Sequence, residues 1–432
     1  MFFDDTFTEE SADAAFRRVL DEILKAPGVR KVGTGAETVS DSDFFERLAF
    51  RFEISNPRHR IVANDEYKLN LPVAVARFVW MISGNNRLAD IAFYEPRVRN
   101  FTDDGIIVPG SSYGTRIRQA YPGTDQLKGV IDELRNERNS RRAAISIYQP
   151  TDAGRESKDI PCAFGMFFHI RNNLLHTQVI MRSNNATALL PFNVFEFSLL
   201  AEVVAAECQV EMGSLSHYAA SMHIYDKAKN FSEKILADGG TTQSVAMPPM
   251  PSEIAPLEEV KELVHFEADM RHRSEAISDD TIEDEINGIR ETLSTYWQQL
   301  AFLLLANLVT KERSKCTNKS AQALSAALNP DLAKLIKWPI TKIDDAVSPS
   351  NLLILDTLQR PDNIVTFSRT KTGGSFRKQA VAYEKASDDR LSAAEILEIQ
   401  AEFETRLAAR GLDFEVSESD FKSVLSKVRK KK

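Results

Sequence analysis

The stretch Ile160-Pro-Cys-Ala-Phe-Gly-Met-Phe-Phe-His-Ile-Arg is followed by Asn172-Asn173 and returns as Leu174-Leu-His-Thr-Gln-Val-Ile-Met-Arg-Ser. Aromatic and β-branched residues flank an Asn-Asn pair that tolerates positive φ, which predicts a hairpin with a tight primed turn. Such a hairpin brings Cys162 and Arg182 together at its open end. A thiol is a nucleophile only as thiolate, and a neighbouring guanidinium lowers its pKa, so this pair is suited to nucleophilic addition. A single cysteine beside a proline also serves as a small buried hydrophobe. Arg182 with Ser183, and the adjacent Arg141 and Arg142, supply the guanidinium and hydroxyl chemistry that binds a phosphate dianion. Adjacent arginines at a strand start are, on sequence alone, usually a solvated edge. His265 and His272 are two helical turns apart, and His169 and His176 have no carboxylate or thiolate beside them, so no metal site is expected.

These residues belong to a chain of 432 residues with 27% charged and 43% hydrophobic side chains. That length and composition fit two to three folded domains and exclude a disordered or fibrous chain. The net charge of −8 provides no general basic surface, so nucleic acid is not an expected partner and any anion site must be local. Cys162, Cys208 and Cys316 are odd in number and far apart, which argues against a disulfide framework and points to a reducing cytoplasm. The first residues do not read as a signal peptide, and the longest apolar run, Leu300 to Val309, is half a membrane span.

Up to residue 237 short apolar runs alternate with helical patterns, which predicts an α/β (α+β) domain. Residues 238–256 concentrate Gly, Thr, Ser and Pro and read as a linker. Residues 257–432 then form a mainly α-helical extension, with helical segments at 257–275 and 281–311. The second segment carries the stripe Leu293, Trp297, Leu300, Leu304. A small hairpin is expected near 364–384, and a helix over 393–410 between the Ser392/Glu395 capping box and Gly411. The apolar stripe buries either against a protein partner or against the chain's own first domain.

Taken in order, Pro161-Cys162, Arg182-Ser183, Pro191-Phe192-Asn193 and His223-Ile224-Tyr225 resemble the thymidylate synthase and deoxycytidylate hydroxymethylase family. The resemblance continues upstream through Gly33-Thr34-Gly35, Trp80 with Gly84, Tyr113-Gly114 and Ser140-Arg141-Arg142. It implies a mixed sheet with packed helices, and a homodimer in which Arg141 and Arg142 reach the phosphate in the other subunit's site. It also implies that Cys162 adds to C6 of a pyrimidine nucleoside monophosphate, with Tyr113 and residue 77 in the catalytic centre. Arg182 and Ser183 would hold the phosphate, joined by Lys31 from a mobile loop. Asn193 would read the base, and His223 with Tyr225 would hold the sugar hydroxyl. A neutral amide at 193 matches uracil, where the cytosine-specific branch carries aspartate, so deoxyuridylate (dUMP) is the implied substrate. The one-carbon donor implied is 5,10-methylenetetrahydrofolate, giving methyl by reduction or hydroxymethyl by attack of water.

The chain departs from that pattern at identifiable places. Arg77 stands where the family has its acid/base glutamate, three residues before Trp80. An arginine inside Pro-Val-Ala-Val-Ala-Arg-Phe-Val-Trp must reach solvent, a carboxylate or a bound anion, and it cannot shuttle protons near neutrality. Asn185 replaces the pterin-binding aspartate, Leu189 a glycine, and Val98 to Phe101 stand near where two tryptophans are expected. Two functions follow: a C5 methyl- or hydroxymethyltransferase, or an altered, folate-independent nucleotide-binding or sensing protein with a partner-binding helical extension.

Overall fold

A computed structural model describes residues 6–29, 43–120, 123–238, 245–311 and 314–339. Lys31, Gly33-Thr34-Gly35, the hairpin expected near 364–384 and the helix expected over 393–410 lie outside the described residues.

Eight strands build one mixed sheet: β1 (Phe7–Glu9), β2 (Gly28–Val29), β3 (Phe44–Ile54), β4 (Ala144–Ser146), β5 (Ala163–Arg171), β6 (Leu174–Met181), β7 (Asn184–Asn185) and β8 (Glu211–Tyr225). Their order is β1-β3-β8-β6-β5-β4, with β2 on β3 and β7 on β8. In the β5–β6 hairpin Arg171 faces Leu174, which leaves Asn172-Asn173 as a two-residue loop at φ 52° and 61°. Those angles are the left-handed conformations that a primed turn needs and that asparagine adopts more readily than most side chains. The parallel partner of β6 is β8, so the chain must cross over between them, and helix α6 (see below) makes the crossing.

Five helices precede that crossing: α1 (Ala12–Leu24), α2 (Leu71–Ile82), α3 (Leu88–Ala92), α4 (Gly114–Arg118) and α5 (Gln126–Asn136). The crossing helix α6 (Leu190–Glu207) is largely apolar and buried on nearly every side because the sheet covers one side and α2 another. Helix α2 begins where the Asn70 side chain caps the Val73 N–H and Pro72 enters the first turn. Each of its residues is buried except Arg77, which is half-buried. After α6 come α7 (Lys229–Ala237), α8 (Pro256–His272), α9 (Ile282–Thr292), α10 (Thr295–Val309), α11 (Asn318–Ala327) and α12 (Pro330–Ala333).

Helices α8 and α10 pack on α2, and Met1–Pro339 form one compact unit. The composition break at 238–256 therefore falls inside that unit. A buried carboxylate, paired with two arginines on its own side, also takes hydrogen bonds from the break itself and from beyond it. Glu202 of α6 accepts from Arg58 (2.8 Å), Arg60 (2.5 Å), the Tyr296 hydroxyl of α10 (3.2 Å) and the Met250 N–H (3.1 Å). Such a carboxylate is tolerated in the core because every charge has a partner. The helical segment expected over 281–311 is interrupted: Leu293 and Ser294 are extended, and the Ser294 N–H turns to Glu259 of α8. Leu293, Trp297, Leu300 and Leu304 are all buried, so the stripe covers the chain's own core. No helix among the described residues is long and apolar enough to cross a membrane.

Candidate active site

The hairpin's open end places the nucleophile candidate. Arg182 N–H donates to Cys162 O at 2.8 Å, and the Arg182 side chain folds back along the same segment. Its Nε donates to Pro161 O (2.7 Å), its Nη2 to Ile160 O (2.9 Å), and Nη2 lies 3.9 Å from Cys162 Sγ. Burial pushes the thiol pKa up by more than Arg182 draws it down, with Asp159 adding a smaller upward push, so the net direction is upward. Arg182 is exposed, and its Nη1 has no protein acceptor among the described residues, so a phosphate can take it.

Beyond Ser183 the chain forms β7, which pairs Asn185 with His223 of β8 and delivers Ala186 N–H to His223 O. This short pairing brings the Arg182-Ser183 segment to the strand that carries His223 and Tyr225. Those two rings share one face of β8, with centroids 4.9 Å apart. Burial lowers the His223 pKa, opposed by Glu46, so the ring is neutral and can serve as a hydrogen-bond partner.

Asn193, in the first turn of α6, is buried, and its Oδ1 accepts from Asn184 Nδ2 at 2.7 Å. Asn184 Oδ1 is itself buried with no partner among the described residues. Tyr113, immediately before α4, stacks on Phe197 of α6, the ring centroids 5.7 Å apart. Its phenol is held well above its ordinary pKa by burial, then by Cys162 and Glu196, with Arg77 opposing. Cys162, Tyr113, Arg77 and α6 therefore share one electrostatic environment.

Arg77 resolves its burial through carboxylates. Its Nε donates to Glu196 of α6 and its Nη1 to Glu95 at 3.1 Å, while Cζ lies 5.4 Å from the Phe192 ring centroid. Neither Glu196 nor Glu95 was singled out by the sequence reading. The available signal for Glu196 was its charge within the apolar run Asn-Val-Phe-Glu-Phe-Ser-Leu-Leu, the complement of Arg77 in its own apolar helix.

Two candidates are not brought to this cluster within the protomer. Arg141 and Arg142 are exposed, and neither guanidinium has a partner among the described residues. Ala144 faces Phe167, so Arg142 sits about seven residues, or roughly 20 Å, along β5 from Cys162. No group of three or more His, Cys, Asp or Glu among the described residues is arranged to hold a metal ion.

A mixed sheet crossed by a buried helix, with a cysteine and a guanidinium at the mouth of its central hairpin, defines a thymidylate synthase-type α/β protein. Residues 14–268 match the family model for thymidylate synthase, and the chain belongs to that family. It is 32% identical over 177 residues to the deoxyuridylate hydroxymethyltransferase of Pseudomonas phage M6, covering 40% of this chain and 50% of the phage protein. The deoxyuridylate hydroxymethyltransferase of Bacillus phage SP01 is 28% identical over 185 residues, 40% of this chain and 48% of that one. The thymidylate synthase of Buchnera aphidicola subsp. Baizongia pistaciae is 27% identical over 211 residues, 48% of this chain and 77% of that enzyme. The chain thus spans about half the length of the two phage relatives.

The family uses methylenetetrahydrofolate, but the residues expected to meet the pterin do not fit it. Asn185 carries no charge, and its Oδ1 already accepts from the Ala188 N–H at 3.1 Å. Residues Pro96–Phe101 form a 3-10 turn with no tryptophan. A reduced folate therefore lacks its acidic partner here.

Proposed function

We propose that this chain activates C5 of deoxyuridylate for one-carbon transfer, with Cys162 as the nucleophile. The contact between Cys162 Sγ and the Arg182 guanidinium, on the hairpin whose strands lead to Asn193 and His223, carries the reading. Arg182 and Ser183 take the phosphate, and Asn193 faces N3–H and O4 of uracil. His223 and Tyr225 hold the sugar. The thiolate then adds to C6, and the C5–C6 π pair moves toward O4, which leaves C5 nucleophilic. Phosphate binding next to Arg182 fixes the ring above the sulfur, so the addition becomes an intramolecular event. The two phage relatives are named for hydroxymethyl transfer, which favours hydroxymethyl over methyl as the product.

The protein works as a homodimer in the cytoplasm in this reading, with Arg141 and Arg142 completing the phosphate site of the other subunit. Support comes from their unpartnered guanidiniums and from Phe164 and Phe167, which stand exposed on β5 beside the edge strand β4. The test is tritium release from 5-tritiated deoxyuridylate with and without methylenetetrahydrofolate, followed by mass spectrometry of the products. Release by the wild type and none by Cys162→Ala is expected. Nucleotide binding without release would instead identify a nucleotide-binding or sensing protein, and release by Cys162→Ala would remove the nucleophile.

A further inference from the structure

Addition of a thiolate to C6 sends an electron pair to O4, and the step needs a proton or a strong donor at that oxygen. Arg77 bonds to Glu196, Tyr113 stacks on the adjoining Phe197, and Asn193 lies one turn before Glu196 on α6, so four polar side chains border the proposed base subsite. Arg77 cannot release a proton near neutrality. The Tyr113 phenol is pushed further from neutrality by burial. Asn193 can share its amide hydrogens but cannot give one up.

Glu196 is different in kind. It lies one turn after Asn193 on the same face of α6, a spacing that sets side chains about 5–6 Å apart. It is 2% exposed, and Arg77 fixes its orientation. Arg77 is itself divided between two carboxylates, because Glu95 holds its Nη1. One positive charge between two carboxylates does not fully neutralise both. Burial raises the Glu196 pKa, Arg77 lowers it and Glu95 raises it again, and the net direction is upward.

Resting on the dUMP reading of the site, we propose that Glu196 is the acid/base group of the base subsite and that Arg77 positions it. The acid then stands on α6, and the cation Arg77 holds the place on α2 where the resemblance leads one to expect it. As Cys162 sulfur bonds to C6 and the π pair moves to O4, the Glu196 carboxylic acid gives its proton to O4, directly or through one water. The resulting carboxylate is held by Arg77. When C5 takes up its electrophile, a solvent proton or a one-carbon unit, the proton returns from O4 to Glu196. Loss of the original C5 hydrogen as a proton re-forms the enol, with Glu196 again protonating O4, and the proton comes back once more as the sulfur leaves, so the cycle is balanced.

The test compares the full-length wild type with Glu196→Gln, Glu95→Gln and the paired Arg77→Gln/Glu196→Gln variant, reading tritium release from 5-tritiated deoxyuridylate against pH. Glu196→Gln should bind the nucleotide within about threefold of wild type yet release tritium at least about 10²-fold more slowly. The paired variant keeps an amide-to-amide contact between α2 and α6 and should fold with the same catalytic loss. Glu95→Gln leaves Arg77 wholly to Glu196, so the alkaline limb of the profile should move to lower pH. Wild-type rates in Glu196→Gln, or in the paired variant, would overturn the assignment while leaving the dUMP reading standing. An alkaline limb unmoved in Glu95→Gln would overturn it as well, since a purely structural pair predicts no shift. Failure of the wild type itself to release tritium would overturn both the site reading and this inference.

Discussion

The Arg182 guanidinium sits 3.9 Å from the Cys162 sulfur while its Nε and Nη2 grip the carbonyls of Pro161 and Ile160. One side chain therefore shapes the segment that carries the nucleophile, biases the thiol toward thiolate and keeps Nη1 for an anion. Arg182→Ala should weaken dUMP binding by roughly 10- to 100-fold, the worth of a charge-assisted contact. Loss of the cation raises the thiol pKa, so the acid limb of tritium release should also move to higher pH. Calorimetry and a pH-rate profile read the two effects separately. Unchanged affinity would count against the phosphate placement.

The distance of Arg141 and Arg142 from Cys162 within one protomer makes a mixing experiment decisive. Cys162→Ala and Arg141→Ala/Arg142→Ala proteins should each be poorly active alone. Unfolded together and refolded, they form mixed dimers in which one site draws its cysteine and its arginines from intact copies. About a quarter of wild-type activity should return, since half the dimers are mixed and each holds one complete site. Activity no higher than the average of the parents would show that the arginines do not act across an interface.

Gly114 fixes how closely α4 approaches α2. A Cβ there would lie 2.6 Å from Met81 O and 3.0 Å from Trp80 O, both main-chain atoms that cannot swing aside. Gly114→Ala should push α4 outward and carry the neighbouring Tyr113 away from Cys162. A loss of about 1–3 kcal/mol in stability is expected, with kcat falling more than KM rises. Thermal melts and steady-state release measurements check both.

Local features of this fold were legible in the sequence. Asn172-Asn173 declares its turn within four residues, and the α2 start is written in Asn70 and Pro72. The order of Cys162, Arg182, Asn193 and His223 was enough to recognise the family. What the sequence could not convey were contacts decided by packing. Arg77 and Glu196 are 119 positions apart, and their meeting requires α2 to lie on α6. Composition on both sides of Leu293-Ser294 is helical, yet the chain breaks there while Ser294 N–H turns to Glu259, 35 residues earlier. The Gly- and Pro-rich run at 238–256 reported an irregular connection, but not that the helices after it would bury Tyr296 and Trp297 in a core shared with α2 and α6.

His217 offers a stability prediction independent of catalysis. It lies on β8, fully buried, with its ring stacked at 5.1 Å on Phe52 and both ring nitrogens without a partner among the described residues. Burial alone drives its pKa down to about 3. In the unfolded chain the same ring titrates near 6.5. Below that pH the unfolded state gains a proton that the folded state refuses. The contribution of His217 to stability is therefore intact above about pH 6.5 and is lost as pH falls toward 3, at about 1.4 kcal/mol per unit. A phenyl ring preserves the stack on Phe52 without a titrating nitrogen, so His217→Phe should flatten the pH dependence. Relative to wild type at pH 7.5, the variant should gain about 2 kcal/mol by pH 5, read from urea midpoints at matched m-values. Parallel curves for the two proteins between pH 7.5 and 5 would mean that His217 accepts its proton in the folded state, contrary to its buried, unpartnered setting.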